Sequence, residues 1–475
     1  MLRHAERTPD KVALELLSDG AQAWTYADIK NRVLCLAQGL LDQGFVAGDR
    51  IFLQLGNRIE TPLIYLAAIA VGLIPVPISA HLTQSELDVM ARQLAPAAIL
   101  SLDAIELGGV PRLGDLSALI APRPADFVLG DPNRLAYIVF TSGTSGTPRA
   151  VAHAHRAVWA RQMMIRDWEK LGPDDRLLHS GDFNWTYTMG TGLMDPWAAG
   201  ATAMIRPAFC EISDLPDLLS QHHATIFATD PGTLRRLLRA PFPSAPRLRH
   251  GLSAGAALPA STARKWRDTT GTPIFEAFGQ SEVSTFLSSD EHGHLRPQTG
   301  RRVAVLDEAG KPAMPDAIGA LAVHRSDPGL MLEYIGAPEA TADRYMGDWF
   351  QTGDVFRQSR DGGLTFVGRA DDLLNPGGTR VAPHEIEAAL APFPGIADIA
   401  VCEVEIKEAT TILACAYTAV TDIDENALND FAAQHLARYK QPRFYTRLDA
   451  LPRNANGKLI RKDLPERVLA AKRAP

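Results

Sequence analysis

Two capping boxes set the character of the first half of this chain. In Thr25-Tyr26-Ala27-Asp28 and again in Thr83-Gln84-Ser85-Glu86, a threonine stands three positions before a carboxylate. That is the spacing in which side chains close the open N–H groups at a helix start. After the first box, Ile29, Val33, Ala37 and Leu40 recur at helical intervals toward Gly44. After the second, Ala97 to Leu102 reads as the next strand. Leu63 to Ile78 is apolar but broken by Gly72, Pro75 and Pro77, which suits a buried helix running into a buried strand and falls short of a membrane span. Such alternation predicts α/β architecture with parallel sheets and helices on their faces.

The 475 residues exceed one compact core, so more than one domain is expected. A change of texture supports this. Asp361-Gly362-Gly363 sits between two strand-like runs as a hairpin turn, and Arg369-Ala370-Asp371-Asp372 leads into the loop Asn375-Pro376-Gly377-Gly378, which suits a junction. Beyond it, Pro383 opens a helix, Ile396 to Ile406 and Thr411 to Val420 read as strands, and a helix is predicted over Asn426 to Tyr439. The expected architecture is a large N-terminal domain, 1–369, and a small α+β domain, 370–475.

A formal charge of −7 gives no broad basic field and argues against nucleic acid. Cys35, Cys210, Cys402 and Cys415 lie far apart with no C-x-x-C pair, which points to reduced thiols and a cytoplasmic protein. No signal-like core follows Met1, so no membrane partner is expected. His153 and His155, and His292 and His294, stand two apart without further ligands at metal spacing, so no zinc site is expected.

Chemistry first shows in Thr141-Ser142-Gly143-Thr144-Ser145-Gly146-Thr147-Pro148-Arg149, directly after the apolar run Leu135 to Phe140. Hydroxyls, backbone N–H groups and close-approaching glycines in such a loop can surround phosphate oxygens. No Gly-Lys-Ser/Thr closes it, so it is not the loop of P-loop nucleotidases. By composition alone the alternative is a flexible turn.

The loop resembles the phosphate-binding signature of the acyl-adenylate-forming (AMP-binding) superfamily, and further motifs follow in that family's order from about Asp10 to Leu464. The resemblance implies an α/β large domain of parallel-sheet subdomains plus a small barrel-like part, with a smaller mobile C-terminal α+β lid. It also implies ATP, Mg²⁺ and, as co-substrate, coenzyme A. Ser253-Ala254-Gly255-Ala256-Ala257-Leu258 resembles the adenine-side segment. Phe278-Gly279-Gln280-Ser281-Glu282 resembles the aromatic-Gly-x-Thr-Glu motif, with Phe278 on adenine, Gly279 and Gln280 at AMP, Ser281 on phosphate, and Glu282 and Thr144 on Mg²⁺. A carboxylate beside a triphosphate needs a cation between them. Thr352-Gly353-Asp354 resembles the segment whose aspartate accepts from both ribose hydroxyls, a role that two carboxylate oxygens suit.

Gly368-Arg369-Ala370-Asp371-Asp372 resembles the domain junction, with Arg369 near the ribose and Asp371 as hinge. Leu451 to Lys458 resembles the C-terminal catalytic motif, with Lys458 neutralising the α-phosphate and carboxylate while adenylate forms. Gly377-Gly378 resembles the glycine pair past which pantetheine enters in aryl-CoA ligases. The acyl pocket is expected at Phe183, Trp185, Tyr187 and Gly279, though the aromatics suit core packing equally. The texture around Tyr187 and Phe278 is similar to benzoate-type and medium-chain acyl-CoA ligases, so a small aryl or short-to-medium-chain acid is expected. Two departures stand out: the phosphate loop ends in Pro148-Arg149-Ala150, not Pro-Lys-Gly, and Ser281 replaces the commoner threonine.

Coenzyme A is the expected acceptor, since neither a carrier-protein segment nor a condensation domain flanks the motifs; Arg438, Lys440, Arg443 and Arg447 are candidates for its phosphates or simply a solvated face. The alternative is an enzyme that loads its acid onto a carrier protein. A non-catalytic nucleotide-binding relative is more distant, because Lys458, Glu282 and Asp354 are all present.

Overall fold

The computed structural model describes residues 1–17, 22–101, 105, 107–141, 148–207, 210–290, 293–372, 374, 381–407, 410–419, 421–453 and 459–473. Packing divides the chain into two bodies, 1–302 with 323–348, and 303–322 with 349–475. Residue 369, the boundary read from the sequence, falls inside the second.

Both capping boxes form. Thr25 accepts from the Asp28 N–H while Asp28 Oδ2 accepts from the Thr25 N–H, opening a helix Tyr26–Asp42, and Thr83 with Glu86 does the same for Gln84–Leu94. The inward face of the first helix carries Ile29, Val33, Ala37 and Leu40, all fully buried. Glu60–Ala70 is the expected buried helix and runs into the buried strand Ile74–Pro77. That strand joins Arg50–Gln54, Ala98–Ser101 and Arg112–Leu113 in a parallel sheet.

The larger sheet of the first body has at its centre six parallel strands: Ile274–Gln280, His250–Ser253, Ile226–Thr229, Arg176–His179, Thr202–Ile205 and Val12–Leu16. Antiparallel strands flank it, Ser284–Ser289 and Leu295–Pro297 on one side and Gln22–Thr25 on the other. Because the central strands are parallel, their carboxyl ends share one edge, where open α/β sheets bind ligands.

In the second body, strands Trp349–Gln358 and Leu364–Arg369 pair across the Asp361-Gly362-Gly363 turn. A separate sheet joins Ile396–Lys407, Thr410–Ala419 and Phe444–Arg447. Its residues alternate strictly. Val401, Leu413, Cys415 and Tyr417 pack with Ile386, Leu390 and Leu428 of helices Pro383–Leu390 and Glu425–His435. Ala400, Cys402, Val404, Ala414 and Ala416 pack with Leu464 and Val468 of the helix Leu464–Arg473. One chain thus covers both faces of the sheet.

The helix predicted over Asn426 to Tyr439 ends at His435. Leu436 turns extended while staying buried, and Tyr439 is exposed in the next short turn. No helix among the described residues is long and apolar enough to cross a membrane. All four cysteines are unpaired, with only Cys210 not buried.

Candidate functional site

Strand Leu135–Thr141 pairs antiparallel with Arg149–Ala154, and Thr141 faces Arg149 where the pair ends. The Ser/Gly/Thr loop therefore connects a hairpin. Ser142, Gly143, Thr144, Ser145, Gly146 and Thr147 themselves lie outside the described residues. Against Val151 and Ala152 of the returning strand lies a short strand, Glu333–Tyr334. The Arg149 guanidinium stands 5.3 Å from the centroid of the Tyr334 ring. Arginine at this position thus rests a planar guanidinium on an aromatic face, in place of lysine's compact ammonium.

Tyr334 also donates its hydroxyl to Glu282 Oε1 at 2.6 Å. Burial, and then the charge of Glu282, pushes the Tyr334 phenol up, so it remains a donor. Glu282 Oε2 meets no donor among the described residues. A carboxylate with one oxygen oriented by a neighbour and the other open fits a hard divalent cation such as Mg²⁺.

Glu282 follows the end of the strand Ile274–Gln280, and that end is tightly determined. Gly279 faces Thr285, and a Cβ on Gly279 would stand 2.2 Å from the Ser284 carbonyl oxygen, so no side chain fits. Ser284 itself holds φ +65, the left-handed region that costs a non-glycine residue. His153 secures the turn: its Nε2 lies 2.7 Å from the Ser281 carbonyl oxygen, and Tyr137 stacks on its ring at 4.9 Å. Burial lowers the His153 pKa to about 4, so the ring is neutral and places its single N–H on Nε2.

The other expected segments of the first body lie at the same sheet edge. Gly255, Ala256 and Ala257 are exposed just past the strand His250–Ser253. Gly255 has φ +91, and a Cβ there would come within 2.9 Å of the Trp185 ring. Trp185 is half-exposed and meets Tyr187 edge-on at 5.4 Å, while Phe183 and Tyr187 are buried. The Tyr187 hydroxyl lies 3.4 Å from the carbonyls of Thr229 and Leu252, and its ring packs on Trp168. Phe278 packs edge-on against Phe286.

Glu276, on the same strand, accepts the Leu258 N–H at 2.8 Å and so ties the Gly255 segment to the sheet. Burial pushes its carboxyl up to about 7, against the pull of that hydrogen bond. Between the unfolded value near 4.5 and this one, the unfolded chain ionises while the folded one stays protonated. Stability is therefore lost as pH rises through that window, and the loss is complete above it. Glu276→Gln keeps an acceptor for Leu258 and removes the titration. Chemical denaturation should show it about 2–3 kcal/mol more stable than the parent at pH 8, with no such gain at pH 4. An equal difference at both pH values would rule out this cause.

In the second body, Asp354 and Arg369 are direct cross-strand partners. Arg369 Nη1 donates to Asp354 Oδ1 at 3.1 Å, and the Asp354 N–H donates to Thr352 Oγ1. Thr352 in turn donates to the Leu321 carbonyl, so the buried Asp354 is held at its carboxylate by Arg369 and at its N–H by Thr352. The backbone of Asp371 lies in the turn Ala370–Asp372. The Asp371 side chain and all of Gly377, Gly378 and Lys458 lie outside the described residues. Of the basic run, Lys440 pairs with Glu385 and Arg447 with Asp422.

The structure thus groups Arg149 and Glu282 around Tyr334, Thr141 with Arg149, Gly255 with Trp185, and Asp354 with Arg369. The string-by-string reading missed Tyr334 as well as the roles of His153 and Glu276, because each acts through a partner far along the chain.

Known proteins resemble this chain over most of its length. The family model described as AMP-binding enzyme matches residues 1–335, and that described as AMP-binding enzyme C-terminal domain matches residues 385–458. Among curated relatives, the 3-hydroxybenzoate–CoA ligase of Aromatoleum sp. (strain CIB) is 28% identical, over 95% of this chain and 93% of that one. The benzoate–CoA ligase of Thauera aromatica is 28% identical, over 93% and 90%. Among solved structures, ATP-bound MatB from Rhodopseudomonas palustris superposes with a TM-score of 0.90 at 25% identity, covering 98% of this chain and 97% of that one.

Proposed function

We propose, from the premise that this chain belongs to the AMP-binding enzyme family, that it activates a carboxylic acid with ATP and passes the acyl group to the thiol of coenzyme A. The observation that carries the reading is the Arg149–Tyr334–Glu282 grouping, in which a cation-ready carboxylate and the guanidinium that follows the phosphate-type segment in the chain share one tyrosine.

A carboxylate and an α-phosphate repel each other, and joining them requires opposed charge held in place before the reaction. Glu282 would hold Mg²⁺ together with Thr144, and that ion supplies charge neutralisation for the departing pyrophosphate. Arg149 and the hydroxyls of Thr141 to Thr147 would bind the phosphates, and Ser281 would hydrogen-bond one of them. Gly255, Ala256, Ala257 and Phe278 would border the adenine, and Asp354 would accept the ribose hydroxyls, oriented by Arg369. Lys458 would bridge the two reacting anions. Asp371 is the proposed hinge between 1–369 and 370–475, and Gly377 and Gly378 the proposed passage for pantetheine.

The aryl acids in the names of the two ligases above support a compact aryl or short acid, bordered by Phe183, Trp185, Tyr187 and Gly279. The unpaired thiols of all four cysteines support a cytoplasmic setting.

Mass spectrometry of the purified protein with ATP, Mg²⁺ and a panel of benzoates and short acids, with and without coenzyme A, tests this. Acyl-CoA with stoichiometric AMP is the expected result. Acyl-adenylate that discharges only onto a carrier protein would replace the acceptor, and ADP in place of AMP would overturn the mechanism.

A further inference from the structure

Behind the strand ends of the first body lies a small cavity lined by Tyr65, Tyr137, Arg161, Thr186, Met189 and Met194, among others. It has room for about one water-sized group. Its polar lining consists of the Tyr65, Tyr137 and Thr186 hydroxyls and the Arg161 guanidinium, each of which can donate. Tyr65 and Tyr137 are all but fully buried, with ring centroids 6.1 Å apart, and neither hydroxyl has a hydrogen-bond partner among the described residues. Arg161 spends four of its five N–H groups: Nε and Nη2 on the two oxygens of Asp195, Nη2 also on Thr191, and Nη1 on the Ser284 hydroxyl. The second Nη1 hydrogen has no acceptor among the described residues. Leaving such donors buried and unmet is costly, so an acceptor belongs between them.

The position of the cavity says which acceptor. Arg161 holds Ser284, whose carbonyl oxygen sits where a Gly279 side chain would be. Tyr137 stacks on His153, which holds the Ser281 carbonyl. Thr186 lies between Trp185 and Tyr187. The cavity is thus one contact removed from every segment of this body assigned to the acid. Gly190 leaves the space that the Arg161 guanidinium fills, since a Cβ there would lie 2.0 Å from Arg161 Cζ.

We propose, building on the ligase reading above, that this cavity takes an uncharged acceptor oxygen, a hydroxyl or carbonyl, at the end of the acid remote from its carboxylate, with Tyr65, Tyr137 and Arg161 as specificity-determining residues. Charge favours this over a second carboxylate. Asp195 already neutralises Arg161, and the neighbouring Glu169, buried beside Asp195, is held well above the usual carboxylate range and keeps its proton. The cluster has no net positive charge to offer another anion.

The test compares paired acids: benzoate with 3- and 4-hydroxybenzoate, and pentanoate with 4-oxopentanoate. Two readouts are used, kcat/KM for thioester formation and calorimetric binding of the acid to the protein with AMP. The parent should prefer the oxygenated member of one pair. The ratio of oxygenated to plain acid should fall about tenfold in Tyr65→Phe and in Tyr137→Phe, and about a hundredfold in the double variant. Thermal unfolding of the variants separates this from a loss of fold, because a purely structural role leaves the ratio unmoved. Discrimination in binding without any thioester would keep the cavity assignment and remove the ligase reading. Turnover with a ratio unchanged by the variants, as a structural water would give, would overturn the assignment and leave the ligase reading standing. No discrimination in either readout would overturn the assignment as well.

Discussion

Lys458→Ala is expected to slow acyl-adenylate formation by about a hundred- to a thousand-fold, roughly 2.7–4 kcal/mol of transition-state stabilisation, the range found when one preorganised electrostatic donor is removed. Thioester formation from supplied acyl-adenylate is expected to survive. The asymmetry follows from charge. Adenylation joins two anions, and a lysine between them stabilises the transition state more than it does the separated reactants. In the second step the electrophile is a mixed anhydride and the nucleophile a thiol, so a cation at the α-phosphate has less to do. Pyrophosphate exchange reads the first step, and thiol consumption with synthetic adenylate reads the second. Equal damage to both steps would remove Lys458 from the first and place it in general substrate binding. Arg149, resting on Tyr334, and Glu282, oriented by the same tyrosine, remain intact in this variant. Residual activity should therefore keep its Mg²⁺ dependence.

Features carried by short strings were legible in the sequence. Thr25 with Asp28 and Thr83 with Glu86 close their helices within one turn, so spacing alone predicts them. Two of the motifs, Ser253 to Leu258 and Phe278 to Glu282, are likewise contiguous segments at the ends of the strands His250–Ser253 and Ile274–Gln280. Where local pattern and tertiary packing diverge, the pattern misleads. The helical period continues through Leu436 to Tyr439, but the chain turns at Leu436 and buries that residue by another route. The partners that orient the site were not legible at all. Tyr334 meets Glu282 across 52 residues, and His153 meets Ser281 across 128. Ser284 adopts a left-handed conformation that nothing in its side chain invites. Its backbone is held there by the close approach of Gly279 and its hydroxyl by Arg161. Such constraints come from the assembled sheet and have no signature in a string of residues.

Arg161→Met is expected to destabilise the protein by about 3–5 kcal/mol, because it leaves Asp195 buried without its cation. Arg161 and Asp195 are 4% and 1% exposed, with Nη2 2.6 Å from Oδ2 and Nε 3.0 Å from Oδ1, so water cannot replace the lost guanidinium. Glu169 offers no relief, since it already carries a proton beside Asp195 and brings no positive charge. Methionine keeps most of the side-chain volume, which limits the part of the loss due to a cavity. The double variant Arg161→Met/Asp195→Leu removes both charges and should recover most of the stability, as buried pairs replaced by apolar groups of similar volume commonly do. Denaturant unfolding of the parent, the two single variants and the double variant forms a cycle whose coupling term isolates the pair. A large coupling would make the ion pair the reason that Arg161 can stand, charged, beside Tyr65 and Tyr137. Losses that simply add would mean that Arg161 stabilises this region through packing and its hydrogen bonds to Thr191 and Ser284, with Asp195 contributing on its own.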